Sequence, residues 1–159
     1  MADWWLEGLD GSLHRALFTQ ANIDDARKMK WTSGLHWSKE VRNPQRLTYK
    51  LVHAMTGTIL GAISLSDEGD HVFIHLMESA PQTRYGITPP RFFINVPRLL
   101  VAFAGMKSNQ LGYSGFLALT PKTNRRDYFE KQFKAEPVYG RNMAIHGVVS
   151  NHWITVYYK

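Results

Sequence analysis

The sequence contains no cysteine, which excludes a disulfide framework and any covalent intermediate on a thiol. It has no apolar run approaching the ~20 residues of a membrane span. The longest, Leu99 to Met106, is bracketed by Pro97, Arg98 and Lys107. Met1 to Glu7 carries no basic segment ahead of an apolar one, so nothing there reads as a secretory leader. These absences point to a soluble protein of a reducing compartment, the cytoplasm. No metal is expected, since Cys-x-x-Cys pairs are missing and His146 and His152 are six apart around a turn. Ser64, Ser66 and Ser79 stand in no His and Asp context that would mark a nucleophile.

What is present suits one globular domain. In 159 residues, 44% are hydrophobic and 13% aromatic, ample for a core. Nineteen Lys and Arg against thirteen Asp and Glu leave a formal charge of +6, which favours an anionic ligand such as a polyphosphate, a nucleic acid or an acidic peptide. The basic residues come in small groups, Arg27, Lys28 and Lys30 or Lys122, Arg125 and Arg126, rather than in one run.

The first forty residues predict two short helical pieces. Asp10, Gly11 and Ser12 offer a start before Leu13 to Phe18, and Asn22 to Asp25 offers another before Ala26 to Lys30. From Leu47 to Glu78 the apolar alternation predicts three antiparallel strands in succession, with turns at Met55 to Gly57 and Asp67 to Asp70. The segment from Ser79 to Asn95 is longer than an ordinary connection and reads as a functional loop. A long helix follows over 96–111, with Pro97 in its first turn and Gly112 as its stop. Phe116 to Leu119 predicts a strand and Asp127 to Gln132 a short helix. Val138 to Ile145 and His152 to Tyr158 predict two closing strands, the last on its Ile, Thr, Val and Tyr content.

That order of elements resembles the GNAT superfamily of acyltransferases. Locally, Gly112 to Leu119 resembles the helix stop and following strand of that family, and Tyr128 to Lys134 its aromatic-Tyr-Glu-Lys helix. Leu76 to Pro81, Leu100 to Lys107 and the Lys122-Thr123 pair are similar to segments of small, divergent bacterial GNAT-like proteins. The likeness spans roughly residues 35 to 145. It implies an α/β fold with a mostly antiparallel sheet of six to seven strands flanked by helices, a single domain over 1–159, and a homodimer as one form. It implies transfer of an acetyl or longer acyl group from acyl-coenzyme A to an amine, by direct attack in a ternary complex. The acceptor would be a small molecule, a peptide or protein lysine, or an aminoacyl-tRNA.

The resemblance also assigns residues. The edge of the Phe73 to Glu78 strand, including Leu76 and Met77, would hold the pantetheine arm. The family's pyrophosphate turn falls on Arg91 to Pro97, with Asn95 and Pro97 at its small positions. Pro97 has no N–H and Asn95 is bulkier than Gly, so Val96, Arg91 and Arg98 would carry more of the binding, with Asn124 contributing from the short helix. Glu78 is the candidate base, with His75 second. The family's acid, a tyrosine, is replaced by Phe129, which leaves Tyr128 one position earlier as the candidate. Trp4, Trp5, Trp31 and Trp37 are read as a hydrophobic lid or as the wall of a substrate groove. A long apolar pocket of Trp4, Trp5, Phe92, Phe93 and Phe103 would suit a fatty acyl donor. The altered turn and Phe129 also admit an inactive GNAT-like module that binds an anionic partner such as nucleic acid or an acidic protein.

Overall fold

The computed structural model describes residues 1–84 and 91–159. The chain opens with a hairpin of β1 (Trp4–Glu7) and β2 (Leu13–Gln20), where the sequence predicts a helix over 13–18. Asp10-Gly11-Ser12 carries helix-start chemistry and turn chemistry alike. Here Gly11 sits at φ +83°, the Ser12 amide and hydroxyl both bond the Asp10 carboxylate, and the pairing of Trp4 to Ala16 takes the rest of the segment into the sheet.

The second predicted helix forms as α1 (Ile23–Lys28). Asn22 accepts the Asp25 amide at 2.8 Å and the Asp25 carboxylate accepts the Asn22 amide at 2.9 Å, a reciprocal cap. A further short helix, α2 (Trp37–Arg42), was not predicted. The meander follows as expected: β3 (Leu47–His53), β4 (Ile59–Asp67) and β5 (Val72–Ser79).

After the Ser79 to Asn95 segment, part of which lies outside the described residues, α3 (Val96–Gln110) crosses over to β6 (Leu117–Leu119). Gly112, at φ +88°, ends the helix region as predicted. The β6 strand is parallel to β5, the one parallel pair in a sheet of order β1-β2-β3-β4-β5-β6-β8-β7. Next come α4 (Arg126–Phe133), β7 (Glu136–Pro137) and β8 (Met143–Ile145). The strand predicted over 138–145 is thus only its last three residues, because Val138 to Asn142 closes a hairpin turn around Gly140 at φ +57°. The sheet has eight strands against the expected six to seven: β1, β2 and β7 are additions, and the strand expected over 152–158 is absent.

The largest correction is at the C-terminus. Where a strand over 152–158 was predicted, α5 (Gly147–Tyr157) is a helix packed on α3. Strand propensity yields here to tertiary contact. The Ser150 hydroxyl donates to Gly115 O at 2.7 Å and the Asn109 side-chain amide of α3 donates to Asn151 Oδ1 at 2.7 Å. Two apolar clusters lie on opposite faces of the sheet. The larger joins α3 to Leu6, Leu51, Ile63, Ile74 and Leu117, with Phe129 and Phe133 of α4 and Tyr157 of α5. The smaller joins Ala26, Met29 and Trp37 to Ala62 of β4. Among the described residues, no helix is long and apolar enough to cross a membrane.

Candidate active site

Strand β5 pairs with β4 along its length but with β6 only through Val72, Phe73 and Ile74. Beyond Leu119 the neighbouring chain turns into Thr120-Pro121, and Pro121 has no N–H to continue a ladder. A bulge helps the divergence. Ser64 faces Leu76 and Leu65 faces Ile74, so His75 is the extra residue and β5 bends there. From His75 to Ser79 the β6-facing edge has no strand partner among the described residues, although Arg84 Nε donates to Ser79 O at 3.1 Å; such an edge can pair with an extended ligand.

Helix α3 begins at the end of that edge. Gly61 of β4 lets the two approach, since a Cβ there would lie 3.0 Å from Val96 Cγ1 and 3.2 Å from Glu78 O. Asn95 is completely buried, and its side chain accepts the Glu7 amide at 2.8 Å and donates to Trp5 O at 3.0 Å. Its bulk therefore serves to lock β1 to the start of α3, and only its backbone is left for a ligand. Pro97 has no N–H, and the Leu99 amide already bonds Asn95 O at 3.0 Å. Val96 and Arg98 carry the amides that the first turn can offer.

Tyr128 lies across from that turn on α4. Phe129, where the resemblance leads one to expect a tyrosine, packs into the core, while Tyr128 stays partly open. Burial raises the Tyr128 phenol above its ordinary pKa, against the opposing fields of Arg125, Arg98 and Arg91 in that order. The Arg125 guanidinium sits 4.4 Å from the Tyr128 ring centre. Arg98 sits 4.6 Å from that of Trp153, an α5 residue. Asn124 is exposed in the 3-10 turn Thr123–Arg125 that precedes α4.

Glu78 and His75 belong to the other face. Glu78 is 7% exposed; its Oε1 accepts the Trp37 indole N–H at 2.8 Å and its Oε2 accepts Arg84 Nη2 at 2.8 Å. Arg84 also bonds Ser79 O and the Thr32 hydroxyl, so the carboxylate ties α2 and two loops to the sheet. Leu76 packs on the same face, against the Trp37 cluster, whereas Met77 packs against the α3 cluster. His75 Nε2 lies 2.6 Å from Ser66 Oγ, whose hydroxyl donates to Glu68 Oε2 at 2.7 Å. The contact is a serine, histidine and glutamate grouping that the linear sequence concealed, because it forms across the bulge. A hydroxyl has one proton and it goes to Glu68, so the imidazole donates to the serine. That is the wrong direction for activating a nucleophile, and burial, then Arg46, lowers the His75 pKa below its ordinary 6.5.

The four N-terminal tryptophans do not form one groove. Trp4 lies in the α3 core, its ring 5.5 Å from Phe18 and 4.7 Å from Tyr158, and Phe18 stacks on Phe103 at 4.0 Å. Trp37 is on the opposite face, and the Trp5 indole donates to Lys159 O. With Trp4 and Phe103 packed ring against ring, the long acyl pocket expected from them is closed. Phe92 and Phe93 instead flank His14. A cleft of about 350 Å³ does open on the α1 side, between Trp31, Ile59 and the Asp25–Lys50 ion pair, across the sheet from Tyr128.

No protein-family model matches the chain, and no curated protein matches it in sequence. Solved structures match it in fold. A ribosomal-protein-alanine N-acetyltransferase from Brucella melitensis biovar Abortus 2308 superposes with a TM-score of 0.58 at 11% identity, over 79% of this chain and 95% of that one. An acyl-CoA N-acyltransferase from Pseudomonas aeruginosa gives 0.53 at 12% identity, over 82% and 99%. The fold is that of the GNAT acyltransferases. A domain from Methanocaldococcus jannaschii shares it, with a TM-score of 0.57 at 13% identity over 82% and 96%.

Within the GNAT frame the predicted residues divide into two groups. Arg98 and Arg91 act electrostatically on Tyr128, and Tyr128 packs on the α3 cluster together with Val96 and with Met77 of β5. Glu78 and His75 stand on the α1–α2 face, held by partners. Arg125, Trp153 and Arg84 were not singled out for the site in sequence. Arg125 was visible as a charge beside Tyr128 and Arg84 as one six residues after Glu78, but Trp153 lies far along the chain from Arg98.

Proposed function

We propose that the protein is an N-acyltransferase that moves a short acyl group from acyl-coenzyme A to an amine in a ternary complex. The observation that carries this reading is the open edge of β5 from His75 to Ser79, ending against the first turn of α3. An extended pantetheine arm with alternating amide groups suits such an edge as an added strand. The cationic side chains beyond it suit the coenzyme's phosphates. The closed ring cluster of Trp4, Phe18 and Phe103 favours an acetyl-sized donor over a fatty one.

Bound acyl-coenzyme A supplies an activated thioester. The chain's own groups then have two tasks: to take the proton of the attacking amine and to give one to the departing sulfur. Tyr128, with its pKa raised by burial, stays protonated at neutral pH and serves as donor. Glu78 serves as base from the α1–α2 side of the β5 edge, opposite the side from which Tyr128 acts. Each of its oxygens accepts one hydrogen bond and keeps a second lone pair, and Trp37 and Arg84 fix its orientation. Glu78→Gln should lower turnover at least tenfold with coenzyme affinity unchanged. Equal turnover in the two proteins would remove Glu78 from the mechanism.

A second reading, an inactive GNAT-like binding module, is favoured by two features. Pro97 interrupts the amides of the first α3 turn, and both Glu78 oxygens are already engaged. Titration calorimetry with acetyl-coenzyme A separates the two, since the module predicts no heat with any thioester.

A further inference from the structure

The cleft on the α1 side takes no part in the acyl transfer described above, yet its walls carry unused binding groups. Its lining comes from Asp25 and Lys28 of α1, from Trp31 just beyond it, from Lys50 of β3 and from the turn that leads into Ile59 of β4. Among the described residues, none comes from β5, α3 or α4. Cross-strand pairing puts Lys50, Ala62 and Glu78 in one row. Ala62, in the middle, is completely buried in the cluster it forms with Ala26, Met29 and Trp37. Packed side chains thus separate the cleft from Glu78, and Tyr128 belongs to the opposite face. The cleft is a second site, and what it binds does not depend on the acyltransferase reading.

Charge in the cleft is unbalanced. Asp25 is an anion: burial opposes its ionisation, but the Lys50 hydrogen bond, the Asn22 amide and the fields of Lys50 and Lys28 hold its pKa below the ordinary value. Both of its oxygens are taken, Oδ1 by Lys50 Nζ at 2.7 Å and Oδ2 by the Asn22 amide at 2.9 Å. Lys50 gives Asp25 one N–H, and its other two have no acceptor among the described residues. Lys28 is exposed and has no hydrogen-bond or ion-pair partner there. Asp24, the other carboxylate of α1, is exposed and paired with Arg27. Two ammoniums against one carboxylate leave an excess of one positive charge in the cleft, which a monoanion neutralises. Beside them Trp31 and Ile59, both half-buried, pack on the Trp37 cluster and form an apolar wall. At about 350 Å³ the cleft has the size of a small-molecule site.

We infer that this cleft binds a small aromatic carboxylate, with the carboxylate on Lys28 and Lys50 and the ring on Trp31 and Ile59. An ammonium suits carboxylate and phosphate alike. The single excess charge and the indole wall favour a ring-bearing monoanion over a phosphate dianion.

Calorimetric titration of the full chain with indole-3-acetate tests the site, with tryptamine as a cationic counterpart and inorganic phosphate as an anion without a ring. Lys28 is exposed and unpaired among the described residues, so Lys28→Gln and Lys28→Arg should fold as the parent does. Indole-3-acetate should bind the parent with a Kd of about 1 mM or below. Lys28→Gln should weaken it about tenfold, as expected for one charge-assisted contact, and Lys28→Arg should recover most of the loss. Trp31→Leu should weaken it about fivefold. Saturating coenzyme A should leave the affinity unchanged. No heat from indole-3-acetate would overturn the site, as would affinity within about twofold of the parent in both Lys28→Gln and Trp31→Leu. Equal binding of tryptamine or of phosphate would overturn the ligand class, and displacement of the acid by coenzyme A would overturn the placement. Indole-3-acetate binding in a parent that takes no coenzyme A would uphold the cleft and overturn the acyltransferase reading.

Discussion

Buried charge at Glu78 is tolerated because it is fully bonded. The carboxylate lies in the sheet under α2, where an unpaired ion would be severely desolvated. Removing its cation while leaving the carboxylate should therefore be more damaging than neutralising the carboxylate. Arg84→Ala is expected to reduce stability by about 2 kcal/mol and Glu78→Gln by about half that, because the glutamine oxygen can still accept from Trp37. Urea unfolding of the two variants checks the order, and the reverse order would mean that the ion pair contributes little. His75 gives a pH dependence of known sign. Folding holds its pKa below 6.5, so between the two values the unfolded chain binds the extra proton and stability falls with falling pH. Its contribution is complete above about pH 6.5 and declines below. Melting curves from pH 7.5 to 5.5 should slope less steeply in His75→Gln than in the parent.

At the scale of elements, the contact of α5 with α3 sets the C-terminal fold. Gly105 is buried in α3, where a Cβ would lie 2.5 Å from Ser150 Cβ and 2.7 Å from Ser150 Oγ. The helices cross backbone to backbone at that point. Ala has the better helix propensity by about 1 kcal/mol, yet Gly105→Ala should lower stability by about 2 kcal/mol, because overpacking outweighs propensity. A gain in the urea midpoint would show that α5 can shift freely. Since Trp153 of α5 supports Arg98, the same substitution should also weaken coenzyme A binding. The contrast with α1 is instructive. Its start is fixed by Asn22 and Asp25, three residues apart, a contact that can be recognised from the chain itself.

Across the whole molecule, the two termini are joined. Asp3 and Lys159 exchange backbone hydrogen bonds of 3.2 and 2.9 Å, and Trp4 bridges to Tyr158. A ligand that spans the β5 edge and the α3–α4 arginines should stabilise this closed unit as one body. At 100 times its dissociation constant it adds about 2.7 kcal/mol, so saturating acetyl-coenzyme A should raise the melting midpoint by roughly 5–10 °C. A longer acyl-coenzyme A should add nothing further, because the apolar rings near Trp4 are packed against one another. The order of the meander, the long helix with its Gly112 stop, the strand after it and the cap of α1 were all legible in sequence, since each depends on periodicity or on residues within a few positions. Asp10 to Ser12 was ambiguous because one set of side chains suits a cap and a turn equally. The helical state of α5, the inward commitment of Asn95 and the pairing of Arg98 with Trp153 depend on groups some 40 to 90 positions apart. No local pattern encodes such contacts, and only the packed tertiary structure decided them.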